Sequence, residues 1–446
     1  MSDSRSFDRA DADRVSAALV ARISEKTPER RLHAIRRVTE LLGDPQRMYG
    51  VIHIAGTNGK TSTARIIESL LRALGLRTGL MTSPHLTRMN ERIVIDGEPI
   101  TDRMLADNFE DIEPFLTMVD AELVANGEAP LTYFEALTAL TFAAFADAPV
   151  DVAVVEAGMG GEWDATNVAD ADVAVLTPIA LDHMEFLGDT IAEIAATKSG
   201  IIKPASRVVS AQQRDEAWGE ITAVCDKYEA ALRVFGRDFS LMSLEPGVGG
   251  QVISVEGIAG HYSSLALPLL GDYQAENAAL AIAAVESFVQ NGEQMLPRDV
   301  VEEGISLASS PGRLQRVSAN PAVIVDAAHN PHGAEALTGA MMTSFSFDRL
   351  VCVVGILQEK DVVGIIEALD PVVDHFVVTQ SQSDRAISVN DLADAVIAIA
   401  GPDRVDSRAN SEQALARAED LAGAEGGVLV TGSITLVAEV TAWKGQ

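Results

Sequence analysis

The chain has few cysteines, few aromatic residues, few cationic residues and no long uninterrupted apolar run. Its 446 residues include two cysteines, 5% aromatic residues, and 34 Lys and Arg against 65 Asp and Glu, which gives a formal net charge of −31. Two cysteines far apart in sequence exclude a disulfide framework and a cysteine-rich metal site, so we expect buried free thiols. The shortage of cations argues against general nucleic-acid binding and against a basic membrane-surface protein.

The apolar content is high, but it is distributed over short segments. Hydrophobic residues make up 47% of the chain, which predicts a globular protein. One of the longest uncharged apolar stretches, residues 137–146, is much shorter than the roughly 20 residues that a membrane-spanning helix needs. The N-terminal segment MSDSRSFDRADADR is polar, so no signal peptide is expected. We therefore predict a cytoplasmic monomer with no membrane or nucleic-acid partner.

Short β-branched segments alternate with longer segments of helical periodicity, which predicts an α/β fold with a parallel sheet covered on both faces. The predicted strands of the first half are residues 51–56, 77–82, 151–158, 172–179 and 207–211. The RIVIDGEPI segment contains an Asp-Gly turn signal and is expected to form a hairpin. Residues 235–270 contain glycines and short β segments without a helical pattern, so we expect a small antiparallel excursion there.

A short polar segment containing proline and glycine, SLASSPGR at residues 306–313, is expected to join two domains. The alternation of strands and helices begins again after it. We predict a P-loop-type mononucleotide-binding domain over residues 1–308. A smaller Rossmann-like α/β domain follows over residues 309–446.

The segment HIAGTNGKTS follows a predicted strand and opens a predicted helix, which is the context of a phosphate-binding loop. Gly56 and Gly59 would let backbone N–H groups turn towards phosphate oxygens, and the helix N-terminus would add positive partial charge. Lys60 would neutralise the β- and γ-phosphates, and Thr61 or Ser62 could offer a hydroxyl to Mg²⁺. The loop is two residues shorter than the usual G-x-x-x-x-G-K-S/T pattern, so a chance glycine-rich turn is the alternative.

This short loop resembles that of the Mur-ligase superfamily, whose members are ATP-dependent amide-forming enzymes. Further motifs resemble the folylpolyglutamate synthase family, whose members are often also dihydrofolate synthases. These motifs are TSPHL (82–86), NERI (90–93), FE (134–135), EAGMGG with DATN (156–167), TPIALDHMEFLG (177–188), KSGIIK (198–203), PGR (311–313) and DAAHNP (326–331). The resemblance extends from about residue 30 to the C-terminus. It implies an ATP-dependent ligase that adds L-glutamate to a folate, and also to dihydropteroate, through an acyl phosphate.

Polar side chains follow several predicted strands, where open α/β sheets place ligand-binding groups. Ser83, Glu156 and the Asp182–His183 pair are such residues. Carboxylate and hydroxyl oxygens suit Mg²⁺, whereas histidine is an unusual ligand, and His183 alone would be typical of a polar loop. Lys198, near the end of a predicted helix, would alone be typical of a solvated cation favoured by the helix dipole.

The resemblance assigns further roles. It implies two Mg²⁺ ions, a possible monovalent cation, and metal binding by Ser83, Glu156, His183 and, when carbamylated, Lys198. It implies catalytic roles for Lys60, Lys198, His183, Asp326 and His329. The implied ATP contacts are Gly56, Thr57, Asn58, Gly59, Lys60, Thr61, Ser62, Asn277, Arg313 and Asp326. The implied folate contacts are Thr132, Trp163, Asp164 and Ala165.

One site residue has an alternative interpretation, and two positions differ from the family's usual residues. Asp326 could be the N-cap of the next helix. Glu162 replaces the arginine that the family most commonly has, and Tyr273 replaces a usual histidine.

Two other functions stay open at this point. A Mur-type ligase of peptidoglycan precursors would share the loop and the chemistry, although such enzymes typically have three domains. A non-catalytic nucleotide switch would bind ATP without ligation.

Overall fold

The structure is a computed structural model that describes residues 2–23 and 29–444. An eight-stranded sheet occupies the N-terminal part, in the order β4-β3-β2-β5-β1-β6-β7-β8. Its strands are β1 (Gly50–Ala55), β2 (Thr78–Met81), β3 (Ile93–Ile95), β4 (Glu98–Pro99), β5 (Val152–Glu156), β6 (Val173–Leu176), β7 (Arg207–Ser210) and β8 (Ala231–Val234). The strands from β2 to β8 in this order are parallel, and the β3–β4 hairpin adds an antiparallel edge. The five predicted strands are confirmed, and β8 is an addition.

Helices cover both faces of this sheet because its central strands are apolar on both sides. They are α1 (Ser2–Val20), α2 (His33–Leu41), α3 (Lys60–Ala73), α4 (Asp102–Ala125), α5 (Tyr133–Asp147), α6 (Met184–Leu187), α7 (Ile191–Ser199), α8 (Asp215–Tyr228), α9 (Asp272–Gln290) and α10 (Arg298–Ser306). Ile52 and Ile54 of β1 pack into the core shared with α3 and α9, while Val51 packs into the core shared with α5. The strand β1 is therefore buried between two helical layers.

Within residues 235–270 the chain forms a three-stranded antiparallel sheet of β9 (Ser240–Gly247), β10 (Gly250–Glu256) and β11 (His261–Leu267). Ile253, Val255 and Leu265 from this sheet are buried in the same core as α9. The excursion thus covers the side of α9 that faces away from the main sheet.

A six-stranded sheet occupies the C-terminal part, in the order β12-β13-β17-β14-β15-β16. Its strands are β12 (Gln315–Ala319), β13 (Ala322–Val325), β14 (Leu350–Val354), β15 (His375–Val378), β16 (Val405–Ser407) and β17 (Gly427–Thr431). All neighbours are parallel except the antiparallel edge strand β12. The surrounding helices are α11 (Pro331–Ser344), α12 (Val362–Leu369), α13 (Val389–Ala400), α14 (Ser411–Ala422) and α15 (Ile434–Lys444). This arrangement confirms the predicted α/β fold class.

Two sequence expectations of a simpler kind can also be checked. Cys225 and Cys352 are both buried free thiols, as predicted. None of the helices in the described ranges combines the length and the apolar character that crossing a membrane requires.

Candidate active site

A cavity of about 900 Å³ lies where the N-terminal and C-terminal parts meet. The phosphate loop after β1 and the segments after β5 and β6 form one wall, because parallel strands end at the same edge of their sheet. The loops that follow β13 and β14 face them. All the predicted site residues line this cavity: Gly56, Thr57, Asn58, Gly59, Lys60, Thr61, Ser62, Ser83, Thr132, Glu156, Trp163, Asp164, Ala165, His183, Lys198, Asn277, Arg313, Asp326 and His329. The structure brings them together, while their individual roles stay predictions.

The phosphate loop leads directly into α3, which begins at Lys60. Gly59 is the N-cap with φ of 85°, and no side chain caps the helix, so N–H groups of the first turn are available to an anion. The N–H groups of Thr57 and Asn58 differ from the expectation, since both donate to the carbonyl of Pro178, at 2.9 and 3.3 Å. The loop is thus fixed to the segment after β6, and the helix start provides the open donors.

Gly59 provides a direct test of this loop. A Cβ at this position would lie 2.7 Å from Oδ1 of Asn277, and the positive φ adds backbone strain. We expect Gly59→Ala to lower kcat/KM for ATP by about tenfold or more, which corresponds to roughly 1.4 kcal/mol. Gly75→Ala is the matched control, because φ is also positive there but the space is open. Equal kinetic losses in both variants would contradict the proposed contact with nucleotide.

Two lysines converge on one carbonyl of the loop. Lys60 Nζ donates to the carbonyls of Gly56 and Thr57 at 3.1 and 3.2 Å, and Lys198 Nζ donates to Gly56 at 2.7 Å. Burial lowers the pKa of Lys60, and burial together with the nearby Lys60 charge lowers the pKa of Lys198 to about 7. Lys198 is only 4% exposed, so the alternative of a solvated helix-terminal cation is wrong. The last turn of α7 is buried because it packs closely on Gly161 of the segment after β5, residues 158–161, which we call the glycine loop.

Glu156 lies buried beside two hydroxyl-bearing residues. Its carboxylate accepts hydrogen bonds from Thr61 Oγ1 at 3.0 and 3.1 Å and from the Ser83 N–H at 3.2 Å. Burial raises the pKa of Glu156, and the nearby Lys60 charge opposes that shift. Ser62 is engaged elsewhere, with Ser310 at 2.9 Å, so Thr61 is the hydroxyl beside the carboxylate.

These oxygen donors fit a Mg²⁺ ion, which prefers hard oxygen ligands and keeps several positions for phosphate and water. Across residues 2–23 and 29–444, no group of three or more His, Cys, Asp and Glu side chains is arranged to hold a metal ion without other ligands. Thr61, Ser83 and Glu156 would therefore hold the ion together with nucleotide phosphates. The pKa of His183 is lowered to about 3 by burial, which leaves a neutral ring able to act as a ligand.

Asp182 lies at the centre of a polar cluster that sequence reasoning identified only in part. Its carboxylate lies 2.6 Å from Lys360 Nζ, accepts from Asn330 Nδ2 at 3.1 Å, and lies 3.4 Å from His329 Nε2. Burial alone would raise the pKa of Asp182, but the hydrogen bond from His329 and the nearby charge of Lys360 hold it far below its usual range. Lys360 was missed; its signal was its position shortly after β14.

Asp326 connects the segment before β12 to the segment after β13 through hydrogen bonds to its carboxylate. Its carboxylate accepts from the N–H groups of Leu314 and Ala328, both at 2.8 Å, and from the Tyr273 hydroxyl at 3.4 Å. Burial raises the pKa of Asp326, and Arg313 opposes the shift. The N-cap alternative for Asp326 is wrong, because Asn330 caps α11 by accepting from Gly333 N.

The end of the cavity near Trp163 is built on α5 and the glycine loop. Thr132 is the N-cap of α5 in a capping box with Glu135, and Arg31 binds both oxygens of Glu135 at 3.0 Å. Asp164 accepts from the N–H groups of Met159 and Thr166. The guanidinium of Arg30 lies 5.7 Å from the centre of the Trp163 ring. Arg30 and Arg31 had been left without a role in the sequence analysis.

Glu162 lies exposed to solvent, away from the cavity lining. The guanidinium of Arg30 lies over the ring of the neighbouring Trp163 and places a cation near this position.

Comparison with known proteins places these features in a family. A model of the Mur ligase middle domain matches residues 54–285, and a model of the Mur ligase, glutamate ligase domain matches residues 312–434. The dihydrofolate synthase/folylpolyglutamate synthase of Mycobacterium tuberculosis is 44% identical over 439 residues, covering 92% of this chain and 90% of the relative. That of Escherichia coli is 34% identical over 418 residues, covering 94% and 92%.

Solved structures agree with the sequence relatives. Mycobacterium tuberculosis folylpolyglutamate synthase complexed with ADP is similar with a TM-score of 0.94 at 42% identity, covering 98% of this chain and 99% of that chain. Escherichia coli FolC in complex with DHPP and ADP has a TM-score of 0.83 at 32% identity, covering 96% and 97%. The motif-based resemblance is confirmed, and the peptidoglycan alternative is not favoured. The chain belongs to the folylpolyglutamate synthase/dihydrofolate synthase family of Mur ligases.

Proposed function

We propose that this protein is an ATP-dependent ligase that adds L-glutamate to reduced folates and also to dihydropteroate. The observation that carries the proposal is one cavity lined both by the phosphate loop, with its buried lysines, and by the aromatic side chains of Phe134, Trp163 and Phe186. Such a lining suits a polyanionic nucleotide beside the loop and a flat heterocycle beside the aromatic rings.

The reaction proceeds in two transfers. The carboxylate of the pterin substrate attacks the γ-phosphorus of ATP, which releases ADP and forms an acyl phosphate. The amine of L-glutamate then attacks the acyl carbon, phosphate leaves, and the nitrogen loses a proton to give the amide. Because carboxylate and amine do not condense unaided at neutral pH, the protein contributes positioning and charge neutralisation.

The described residues supply these contributions. Lys60 and the first turn of α3 bind the phosphates, while Arg313, Asp326 and Asn277 contact the nucleoside. Mg²⁺ held by Thr61, Ser83 and Glu156 would offset charge on the transferred phosphoryl group. Asp182 orients His329 and Lys360 beside the loop.

Lys198 is proposed to be carbamylated and to support a second ion with His183. Its lowered pKa, about 7, supports this, because only the neutral amine adds to CO₂ and the product is an anion.

The molecular organisation is proposed in the same way. We assign the division between domains to residues 308/309 and the hinge to the segment between α10 and β12. The protein acts as a cytoplasmic monomer, and its cofactors include a monovalent cation besides Mg²⁺. Closure of the two parts would exclude water from the acyl phosphate.

The decisive experiment identifies products by mass. The protein is incubated with ATP, Mg²⁺, L-glutamate and either dihydropteroate, tetrahydrofolate or a UDP-linked peptidoglycan precursor. We expect each pterin to gain one glutamyl group with matching release of ADP. Product from the UDP-linked precursor alone would support the Mur-type alternative. ATP binding without any product would support a nucleotide switch.

A further inference from the structure

Four side chains connect the phosphate loop to the C-terminal part, and we call them the loop clasp: Asn58, Asp182, Asn330 and Lys360. The amides of Asn58 and Asn330 face each other, and each Nδ2 donates to the other's Oδ1 at 3.1 Å. Asn330 also donates to Asp182 at 3.1 Å, and Lys360 contacts the other oxygen of Asp182 at 2.6 Å. The clasp therefore links the two parts through three residue pairs: Asn58 with Asn330, Asp182 with Asn330, and Asp182 with Lys360.

The two amides use all their N–H donors in one arrangement. The second N–H of Asn58 donates to Nδ1 of His332 at 2.8 Å, and Oδ1 of Asn330 also accepts from Gly333 N at 2.8 Å. Rotating either amide by 180° would set an oxygen against an acceptor, which would lose these bonds. The pair thus has a single hydrogen-bonded state and a defined distance between its two backbones.

Three of the four clasp side chains are largely shielded from water, whereas Asn58 is half-buried. Asn330 is 2% exposed, and the side chains of Asp182 and Lys360 are 7% and 6% exposed. Hydrogen bonds of buried polar groups are costly to lose, because the remaining partner stays unsatisfied. Removing one amide is therefore expected to disturb its partner as well.

The local structure around each of the two asparagines does not depend on the hydrogen bonds between their amides. The N–H of Asn58 already donates to the Pro178 carbonyl, so the loop is fixed to the N-terminal part without the clasp. Asn330 caps α11 through Gly333, a contact within the C-terminal part. The additional effect of the pair is that it links the phosphate loop to the C-terminal part.

We propose that Asn58 and Asn330 act together as positioning residues, which hold the phosphate loop in register with Lys360 and His329 of the C-terminal part. The inference rests on the proposed function. It assigns to this pair the task of aligning groups from two sheets around one transferred phosphoryl group, where small displacements are costly in rate.

A double-mutant cycle tests the pair. The variants are Asn58→Ala, Asn330→Ser and the double variant, since serine keeps the capping function at the start of α11. We expect each single variant to lower kcat about tenfold or more, and the double variant to be within threefold of the lower single. Reductions that multiply in the double variant would mean independent roles and would overturn the proposal.

Asn410→Ser is the matched control, because Asn410 caps α14 in the same way, is exposed and does not line the cavity. Its kcat should equal that of the wild type. The dissociation constant of ADP with Mg²⁺ should change less than threefold in Asn330→Ser, because the phosphate loop keeps all its own side chains in that variant. A weakening of ADP binding in Asn330→Ser as large as its loss of kcat would reduce the effect to nucleotide binding and refute positioning.

A readout without catalysis separates this proposal from the proposed function. Fluorescent labels on Val124→Cys and Val363→Cys, both exposed, would report the distance between the two parts, since the native cysteines are buried. We expect a broader distance distribution in Asn58→Ala and Asn330→Ser than in Asn410→Ser. Identical distributions would refute the clasp, whereas wild-type protein that forms no product would refute only the ligase activity.

Discussion

Replacing Lys60 with alanine is expected to abolish ligase turnover, by about a thousandfold or more, with the fold intact. Lys60 carries the full positive charge within the phosphate loop, and its Nζ donates to the loop carbonyls of Gly56 and Thr57. The positive charge matters most when negative charge develops on the transferred phosphoryl oxygens. Product formation in a quenched assay measures kcat, and circular dichroism with the thermal midpoint checks the fold.

Lys227→Ala is the control for this experiment, because Lys227 lies exposed on α8 away from the cavity. It removes the same charge from the chain and should leave turnover unchanged. Near-normal activity of Lys60→Ala would remove the central claim that phosphate is bound at residues 56–62.

The second large effect is expected at Lys198. Lys198→Ala should lose most activity, by about tenfold to a hundredfold, as for other residues that support a metal site. If the working form is a carbamate, small carboxylic acids such as acetate should restore part of kcat by supplying an anion in its place. The measurement is kcat against acetate concentration at fixed ionic strength.

The lowered pKa of Lys198 also predicts the direction in which activity changes with pH. Since the amine is neutral only above a pKa of about 7, carbamate formation and activity should rise as pH increases through this value in the presence of bicarbonate. Acetate should have no effect on the wild type. Full activity of Lys198→Ala without acetate would dispose of the second-metal role.

The elements that could be predicted from the sequence are those whose burial produces a local hydrophobic pattern. β1, β5, β6 and β14 are apolar on both faces, and every residue of these strands is buried except Gly50, the first of β1. β8, β12 and β16 were not predicted, because they are short edge strands with few buried residues and a weak pattern. The polar residues at strand ends were identifiable because parallel topology fixes where those ends meet.

The remaining site features depend on contacts between distant segments. The burial of Lys198 follows from the packing of α7 on the glycine loop, and helix position alone indicated a solvated cation. Lys360 binds Asp182 across 178 residues of sequence, and Asn330 binds Asn58 across 272 residues and Asp182 across 148. Contacts between residues so far apart in sequence produce no local hydrophobic periodicity, so they are visible only in the folded structure.

The arrangement of the sheets has a consequence for how the protein is made. All strands of the eight-stranded sheet come from residues 50–234, and all strands of the six-stranded sheet come from residues 315–431. No strand of either sheet is borrowed from the other segment, so each sheet can form from its own stretch of nascent chain as it leaves the ribosome. The reaction centre has no such independence, because Lys360 is synthesised 300 residues after Lys60. Activity is therefore the last property that the growing chain acquires.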